Sequence, residues 1–393
     1  MERIGIYTGT FNPVHVGHLR AARYALDALR LDKVLMVPDG ITPHKQLPAD
    51  APSPGQRLEM LRLALKNEIC IEVSSIAQQP THSGYTYETV AKLSALYPQA
   101  KLYLLMGSDM FQSFHKWKEA SSIMAQTAIA VFCRGEKDER QAVQQAAAQL
   151  ERMSAEVVIL DNPVTVISST QLRRMLVFRC ASEFLPEPVK QYIYKNGLYE
   201  TGKNYRNLPE PELEAAVVRL LKSNRVKHVL GCRQAAVELA KLYGVDETDA
   251  ARAALLHDVT KALDGPLQLT LCREYGTMLD TFSSKNPKTL HALTGSLVAE
   301  RIFGENNAVV EAICCHTTGK ADMNLLEKII YVADYMEPNR DFPGVEELRR
   351  LAYTDITQAL ELGLRMTLAL LKEQGREISP ESQAALQYLK EGG

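Results

Sequence analysis

Seven cysteines are scattered through 393 residues with no Cys-x-x-Cys pair, and the adjacent Cys314 and Cys315 are poorly placed to bridge each other. That spacing excludes a disulfide framework and a structural zinc ribbon, and a reduced, cytoplasmic protein is expected. No apolar run approaches the ~20 residues that cross a bilayer, and no basic stretch followed by a long apolar run opens the chain. A soluble protein without span or leader is the expectation. Charge of one sign is also scarce: the net charge is −2, and neither half holds a sustained Lys/Arg block. Broad contact with nucleic acid or a membrane surface is therefore not expected, and anionic ligands must be met by a few local charges. Small phosphorylated substrates suit such a chain. Tryptophan occurs once, at Trp117, and no internal repeat or low-complexity tract is evident.

What is present falls into two halves. Residues 4–7 read as a short apolar strand, 8–13 as turn chemistry, and periodic apolar positions resume at Leu19, Ala22 and Leu26. His15 and His18 thus share one face of a helix's first turn, where unpaired N–H groups and the positive end of the helix dipole already favour anions. β-rich runs at 33–37, 69–73, 101–106, 128–132 and 157–160 then alternate with helical patterns. This predicts a parallel sheet wrapped by helices, with ligands beyond the carboxyl ends of the strands. The loops there carry His44 and Lys45, then Thr86 at a helix start that it would cap. Gly107 and Asp109 come next, followed by Trp117 and Arg134. Ser168, Ser169 and Thr170 are expected to cap one more helix, with Arg173 one turn in and facing an anion.

The string Thr8-Gly9-Thr10-Phe11-Asn12-Pro13-x-His15-x-Gly17-His18 resembles the signature of nucleotidyltransferases with a Rossmann-like α/β sheet. Together with Pro43-His44-Lys45, Tyr85-Thr86-x-x-Thr89, Gly107-x-Asp109, Trp117 and Ser168-Ser169-Thr170-x-x-Arg173, it makes the stretch from Met1 to about Thr201 similar to bacterial nicotinate mononucleotide adenylyltransferase. Thr8 departs from a usual glycine, Asn12 from a frequent aspartate, and Gly84 from a serine often found before Tyr-Thr. The resemblance implies that Thr10, His15, His18 and Arg173 hold ATP phosphates, with magnesium as the ATP-bound ion. It implies that His44 and Lys45 face the mononucleotide phosphate, Trp117 stacks on its pyridine ring, and Thr86 bonds near its carboxylate. Asp109, beside Gly107, would hold ribose or the nucleotide edge, with Arg134 nearby. The reaction would be an in-line attack on the α-phosphorus of ATP, which needs alignment and charge neutralisation rather than a nucleophilic side chain.

Residues 199–211 are polar and broken by Gly202, Pro209 and Pro211, which places a boundary near Asn204 and gives domains 1–203 and 204–393. Behind it only helical periodicity remains, at 213–221, 237–243, 250–262, 325–335 and 356–371. His228, His257, Asp258, His291, His316 and Asp334 are spread over this all-α half. Imidazoles and carboxylates suit iron, manganese, zinc or other divalent ions, and six N/O ligands from separate helices can hold two metals. The order resembles the HD superfamily of metal-dependent phosphohydrolases, through His257-Asp258. The closer likeness is to the HD-type symmetrical bis(5′-nucleosyl)-tetraphosphatases, through Val226-Lys227-His228, Leu256-His257-Asp258-x-x-Lys261, His316-Thr317-Thr318-Gly319 and the run from Tyr331 to Arg340. It implies two divalent ions, iron being the expected metal, bridged by Asp258 and activating water. Lys261, one turn along the same helix, and Arg340 would bind substrate phosphates, and diadenosine tetraphosphate would be cut into two ADP. Other readings stay open. The first half could serve another acceptor, which Pro-His-Lys and Trp117 disfavour; the second could act on a guanosine alarmone or a deoxynucleotide, or serve as a nucleotide-sensing module. Small nucleotides are the expected partners, and a homo-oligomer is compatible with the pattern.

Overall fold

The computed structural model describes residues 1–40, 51–133, 137–163 and 167–392. The chain divides into two compact units, Met1–Lys203 and Asn204–Gly393.

Unit 1 is built on six parallel strands, β1 (Arg3–Gly9), β2 (Lys33–Pro38), β3 (Ile71–Val73), β4 (Lys101–Gly107), β5 (Thr127–Phe132) and β6 (Val157–Leu160), in the order β3-β2-β1-β4-β5-β6. Alternate residues Ile4, Ile6, Leu35, Val37, Leu102, Leu104, Ile129 and Val131 enter one core with Val90, Leu93, Phe111 and Ile123 from the helices. Their neighbours Val34, Met36, Leu105 and Ala130 are equally buried, so both faces are covered, which is why these strands read as unbroken apolar runs. The expected strand at 69–73 begins two residues later: Ile69 is almost fully exposed and has no sheet to pack on. The strand order reverses between β1 and β4, and a crevice at that switch point is where an open α/β sheet takes its ligand.

Unit 2 is helical throughout its described residues. Five helices bring side chains to one place: Ser223–Tyr243, Glu247–Leu256, Leu290–Val298, Asn307–Cys315 and Leu325–Met336. Three of them start on an Asx cap, with Asp246 accepting from Asp249 N–H at 2.9 Å, Asn306 from Val309 N–H at 3.0 Å and Asn324 from Glu327 N–H at 3.0 Å. The helix expected over 250–262 stops at Leu256, so Lys261 lies in a turn rather than one turn along the helix of His257. Its cause is competition for backbone groups. Gln268 Nε2 donates to the Thr260 carbonyl at 2.8 Å, and Thr260 Oγ1 donates to the His291 carbonyl at 3.1 Å, so the turn is held by buried side chains in place of helix bonds. Gly295 permits the approach, since a Cβ there would stand 3.2 Å from the His257 carbonyl. Among the described residues no helix is long and apolar enough to cross a membrane.

Asn306 also donates through Nδ2 to Asp249 Oδ1 at 2.8 Å, joining two helix starts. Asn306→Ala is expected to cost about 1–2 kcal/mol of stability, and Asp246→Ala about 1 kcal/mol, both read as shifts of the urea midpoint.

Candidate active sites

The turn after β1 runs into the helix Val16–Ala28, whose N-cap is His15. Gly17 N–H donates to His15 Nδ1 at 3.2 Å, and His15 N–H donates to His18 Nδ1 at 3.3 Å. A backbone N–H can only donate, so both Nδ1 atoms are acceptors and both rings carry their proton on Nε2. The rings stack with centroids 3.7 Å apart, which puts two Nε2–H donors in close company. Burial, then the neighbouring His18, holds His15 well below the ordinary 6.5, and burial brings His18 down to about 4. Both are neutral donors at pH 7.

Other side chains fasten this turn from a distance. Arg173 NH1 donates to the Asn12 carbonyl at 2.9 Å and its NH2 to Thr170 Oγ1 at 3.1 Å, which brings the helix Ser169–Val177 to the loop. The Tyr199 hydroxyl donates to Asn12 Oδ1 at 2.8 Å. Buried Arg57 donates to the carbonyls of Thr10 and Gly40, at 2.8 and 3.1 Å, and so links the ends of β1 and β2. The Thr10 hydroxyl donates to Asp39 Oδ2 at 3.3 Å.

The residues expected at the acceptor are partly in view. Thr86 is the first residue of the helix Thr86–Leu96 but does not cap it: the N-cap is Tyr85, with no side-chain capping bond. Gly107 ends β4, and a Cβ there would stand 2.9 Å from Asp109 Oδ1, which accepts from the Met110 N–H at 3.0 Å. Trp117 is half-buried with its ring 5.3 Å from that of Phe114, and the next residue, Lys118, lies over the Tyr85 ring at 4.6 Å. Of the three hydroxyls at the start of the helix Ser169–Val177, Ser168 accepts from Gln171 N–H at 3.2 Å, whereas Thr170 receives Arg173 instead and Ser169 is the first helical residue. His44, Lys45 and Arg134 lie outside the described residues.

Unit 2 presents the opposite histidine chemistry. Nδ1 of His257, His291 and His316 each donates to the carbonyl three residues earlier, Ala254, Lys288 and Ile313, at 2.7, 3.0 and 2.7 Å. Nδ1 of His228 faces Glu337 Oε1 at 3.2 Å. Carbonyl and carboxylate oxygens accept, so Nδ1 carries a proton in all four, and the neutral rings of His257, His291 and His316 turn an Nε2 lone pair inward. The four Nε2 atoms meet two carboxylates. His228 Nε2 is 3.1 Å from Asp334 Oδ1 and 3.3 Å from His257 Nε2, and His257 Nε2 is 3.5 Å from Asp258 Oδ2. On the other side, Asp258 Oδ1 faces His291 and His316 Nε2 at 3.4 and 4.0 Å. All six residues converge, and Asp258 stands between two ligand groups with one oxygen toward each.

Burial pushes His257, His291 and His316 downward, His316 to about 4, so the imidazoles are neutral. Burial acts the other way on Asp258 and Asp334, yet the groups that face them hold both carboxyls below their usual range, the Lys261 ammonium among those at Asp258.

Residues 6–175 match the cytidylyltransferase-like family model, and residues 225–339 match the HD domain. A probable nicotinate-nucleotide adenylyltransferase of Dictyoglomus thermophilum is 36% identical over 198 residues, 50% of this chain and 99% of that protein. A symmetrical bis(5′-nucleosyl)-tetraphosphatase of Halalkalibacterium halodurans is 41% identical over 170 residues, 43% of this chain and 90% of that protein. The chain belongs to both families. A crystal structure from Clostridium acetobutylicum, described as an HD superfamily hydrolase involved in NAD metabolism, is 35% identical and covers 47% of this chain and 99% of its own, with a TM-score of 0.46.

The HD unit's donors fit divalent metal. His228, His257 and Asp334 form one group with ligand atoms within 4.8 Å of one another, and His257, Asp258 and His316 a second. Asp258 Oδ1 is fully buried and makes no hydrogen bond among the described residues, an expense that a cation facing it removes. Cations ring the same carboxylates. Lys261 Nζ is 2.7 Å from His291 Nε2 and 3.7 Å from Asp258 Oδ1, and Arg340 NH2 is 2.9 Å from Asp334 Oδ1.

Several participants escaped the sequence reading. Arg225 donates through Nε to Asp258 Oδ2 at 2.6 Å and again through NH2; its position three residues before His228, on the same helix face, was the available signal. The Thr317 hydroxyl lies 3.1 Å from Nε2 of both His291 and His316. Glu337, 1% exposed, orients His228 and takes Asn339 N–H and Nδ2 on its other oxygen at 2.7 and 2.8 Å. A Cβ on Gly231 would stand 2.3 Å from that oxygen, so only glycine leaves room for it.

Glu337→Gln and Gly231→Ala are each expected to lower the affinity of the HD unit for manganese about 10- to 100-fold, measured by equilibrium dialysis. In unit 1, the native fold resists protonating His18 until about pH 4 while the unfolded chain takes up that proton near 6.5, so stability falls as pH drops through this window and rises again with pH. Urea midpoints from pH 7 to pH 4 should follow that slope, and His18→Gln should flatten it.

Proposed function

We propose that this chain is a bifunctional enzyme: unit 1 transfers AMP from ATP to nicotinate mononucleotide, giving nicotinic acid adenine dinucleotide and pyrophosphate, and unit 2 hydrolyses diadenosine tetraphosphate into two ADP. The observation that carries this is the opposite hydrogen-bond polarity of the two histidine sets, N–H donors in one site and lone pairs in the other. Family membership and the near-complete span of each relative support the same pairing.

In unit 1 the mononucleotide phosphate attacks the α-phosphorus of ATP in line and pyrophosphate leaves, with no covalent intermediate. Nε2–H of His15 and His18, the Thr10 backbone N–H and Arg173 would take the charge that builds on the phosphate oxygens. The first-turn amides of the helix Val16–Ala28 add to that field. His44 and Lys45 would hold the acceptor phosphate, Trp117 and Thr86 its ring, and Asp109, next to Gly107, a ribose. Arg134 would stand at the same edge, and Ser168, Ser169 and Thr170 would set the helix that carries Arg173. Magnesium bound to ATP would supply further charge neutralisation.

In unit 2 two divalent ions, iron foremost, would be held by His228, His257 and Asp334 on one side and His291 and His316 on the other, with Asp258 between. When bound they would acidify water for attack on phosphorus. Arg225, Lys261 and Arg340, already gathered at the carboxylates, would draw the polyphosphate in and steady its middle phosphates. One water is consumed, and the bond between the second and third phosphates breaks.

Chromatography of a substrate panel on the parent and two variants tests the reading. His18→Ala should lower dinucleotide synthesis about 100- to 1000-fold, as loss of one charge-stabilising donor does, and leave tetraphosphate cleavage intact. Asp258→Ala should abolish cleavage alone. Joint loss of both activities in either folded variant would contradict two separate sites.

A further inference from the structure

The turn leading into the helix Thr86–Leu96 is fastened by a histidine to which adenylyl transfer as described gives no role. His82 is 5% exposed. Gly84 N–H donates to its Nδ1 at 2.9 Å, so the ring proton sits on Nε2 and is given to Thr89 Oγ1, 3.1 Å away. Thr89 is itself buried on the helix, so one neutral ring spans from the turn to the helix body. A second fastening lies on the outside, where the Ser83 N–H and hydroxyl donate to Glu88 Oε2 at 2.8 and 2.6 Å. Gly84 stands at φ +85°, a region that glycine adopts freely. The clasp of His82 on Gly84 thus holds a turn whose backbone conformation favours glycine.

Between the two fastenings lie Tyr85 and Thr86, where the helix begins without a side-chain cap. Lys118, beside Trp117, covers the Tyr85 ring at 4.6 Å, so the turn also meets the segment assigned to the pyridine ring.

We propose that His82 is a positioning residue for the acceptor nucleotide: it locks the 83–86 turn so that Thr86 and the helix start meet the carboxylated ring, and thereby sets acceptor affinity without acting on ATP. The inference rests on the adenylyltransferase reading of unit 1. Asparagine at 82 would still offer Gly84 an acceptor two residues on, in an Asx turn, but would not reach Thr89. Alanine would do neither.

Steady-state kinetics on the full chain test this, with ATP and nicotinate mononucleotide varied in turn. His82→Ala should raise KM for the mononucleotide about tenfold, as loss of one or two hydrogen bonds requires, while KM for ATP stays within about twofold of the parent. His82→Asn should restore most of the loss. Thr89→Val, which keeps the side-chain shape, should give a smaller rise of the same kind. A purely structural role would move both KM values, or kcat, together, and that result would overturn the inference. So would an unchanged mononucleotide KM in His82→Ala. A parent protein that forms no dinucleotide at all would instead overturn the activity on which the inference rests.

Discussion

The hydrogen bond made at Nδ1 of each site histidine decides what the ring can offer at Nε2, and both sites depend on that choice. Where Nδ1 accepts from a backbone N–H, as in His15 and His18, the far side of the ring is a donor and suits a phosphate oxygen. Where Nδ1 donates to a carbonyl, as in His257, His291 and His316, the far side is a lone pair and suits a cation. One residue type can thus face opposite charges, and no charged state of the ring is needed for either.

Helix ends make the choice for four of these rings. A helix begins with N–H groups that lack partners and ends with carbonyls that lack them. His15 is an N-cap and His18 sits in the first turn, so their rings meet orphan donors. His257 and His316 are C-caps, and their rings meet carbonyls three residues back. For these four rings position along the helix sets the tautomer; His291, in the first turn of Leu290–Val298, departs from the rule because its Nδ1 donates to the Lys288 carbonyl just ahead of that helix. Asp258 then needs only to follow His257 into a turn that has left the helix, where its two oxygens separate toward the two histidine groups.

Much of this was legible in the chain. The six strands read as apolar runs because both faces of the sheet are covered, and the helical half showed itself by its 3.6-residue period. The motifs His15-x-Gly17-His18 and His257-Asp258 are compact enough to recognise. What stayed hidden is tertiary. Arg57 is an ordinary helix arginine until the fold sets it under carbonyls 47 and 17 residues away, and Tyr199 meets Asn12 across 187 residues. Glu337 reads as one acid in a charged stretch, and its grip on His228, 109 residues away, depends on the bare face of Gly231. The end of the helix at Leu256 was missed because its apolar period continues through Val259 and Ala262, while the Gln268 and Thr260 side chains take over the backbone bonding.

Nitrogen-detected NMR of histidine-labelled protein, with assignments from single His→Gln variants, reads the tautomers directly. His15 and His18 should show the proton on Nε2, and His257, His291 and His316 should show it on Nδ1. Finding the proton on Nδ1 of His15 or His18, or on Nε2 of the three in the helical unit, would contradict the account.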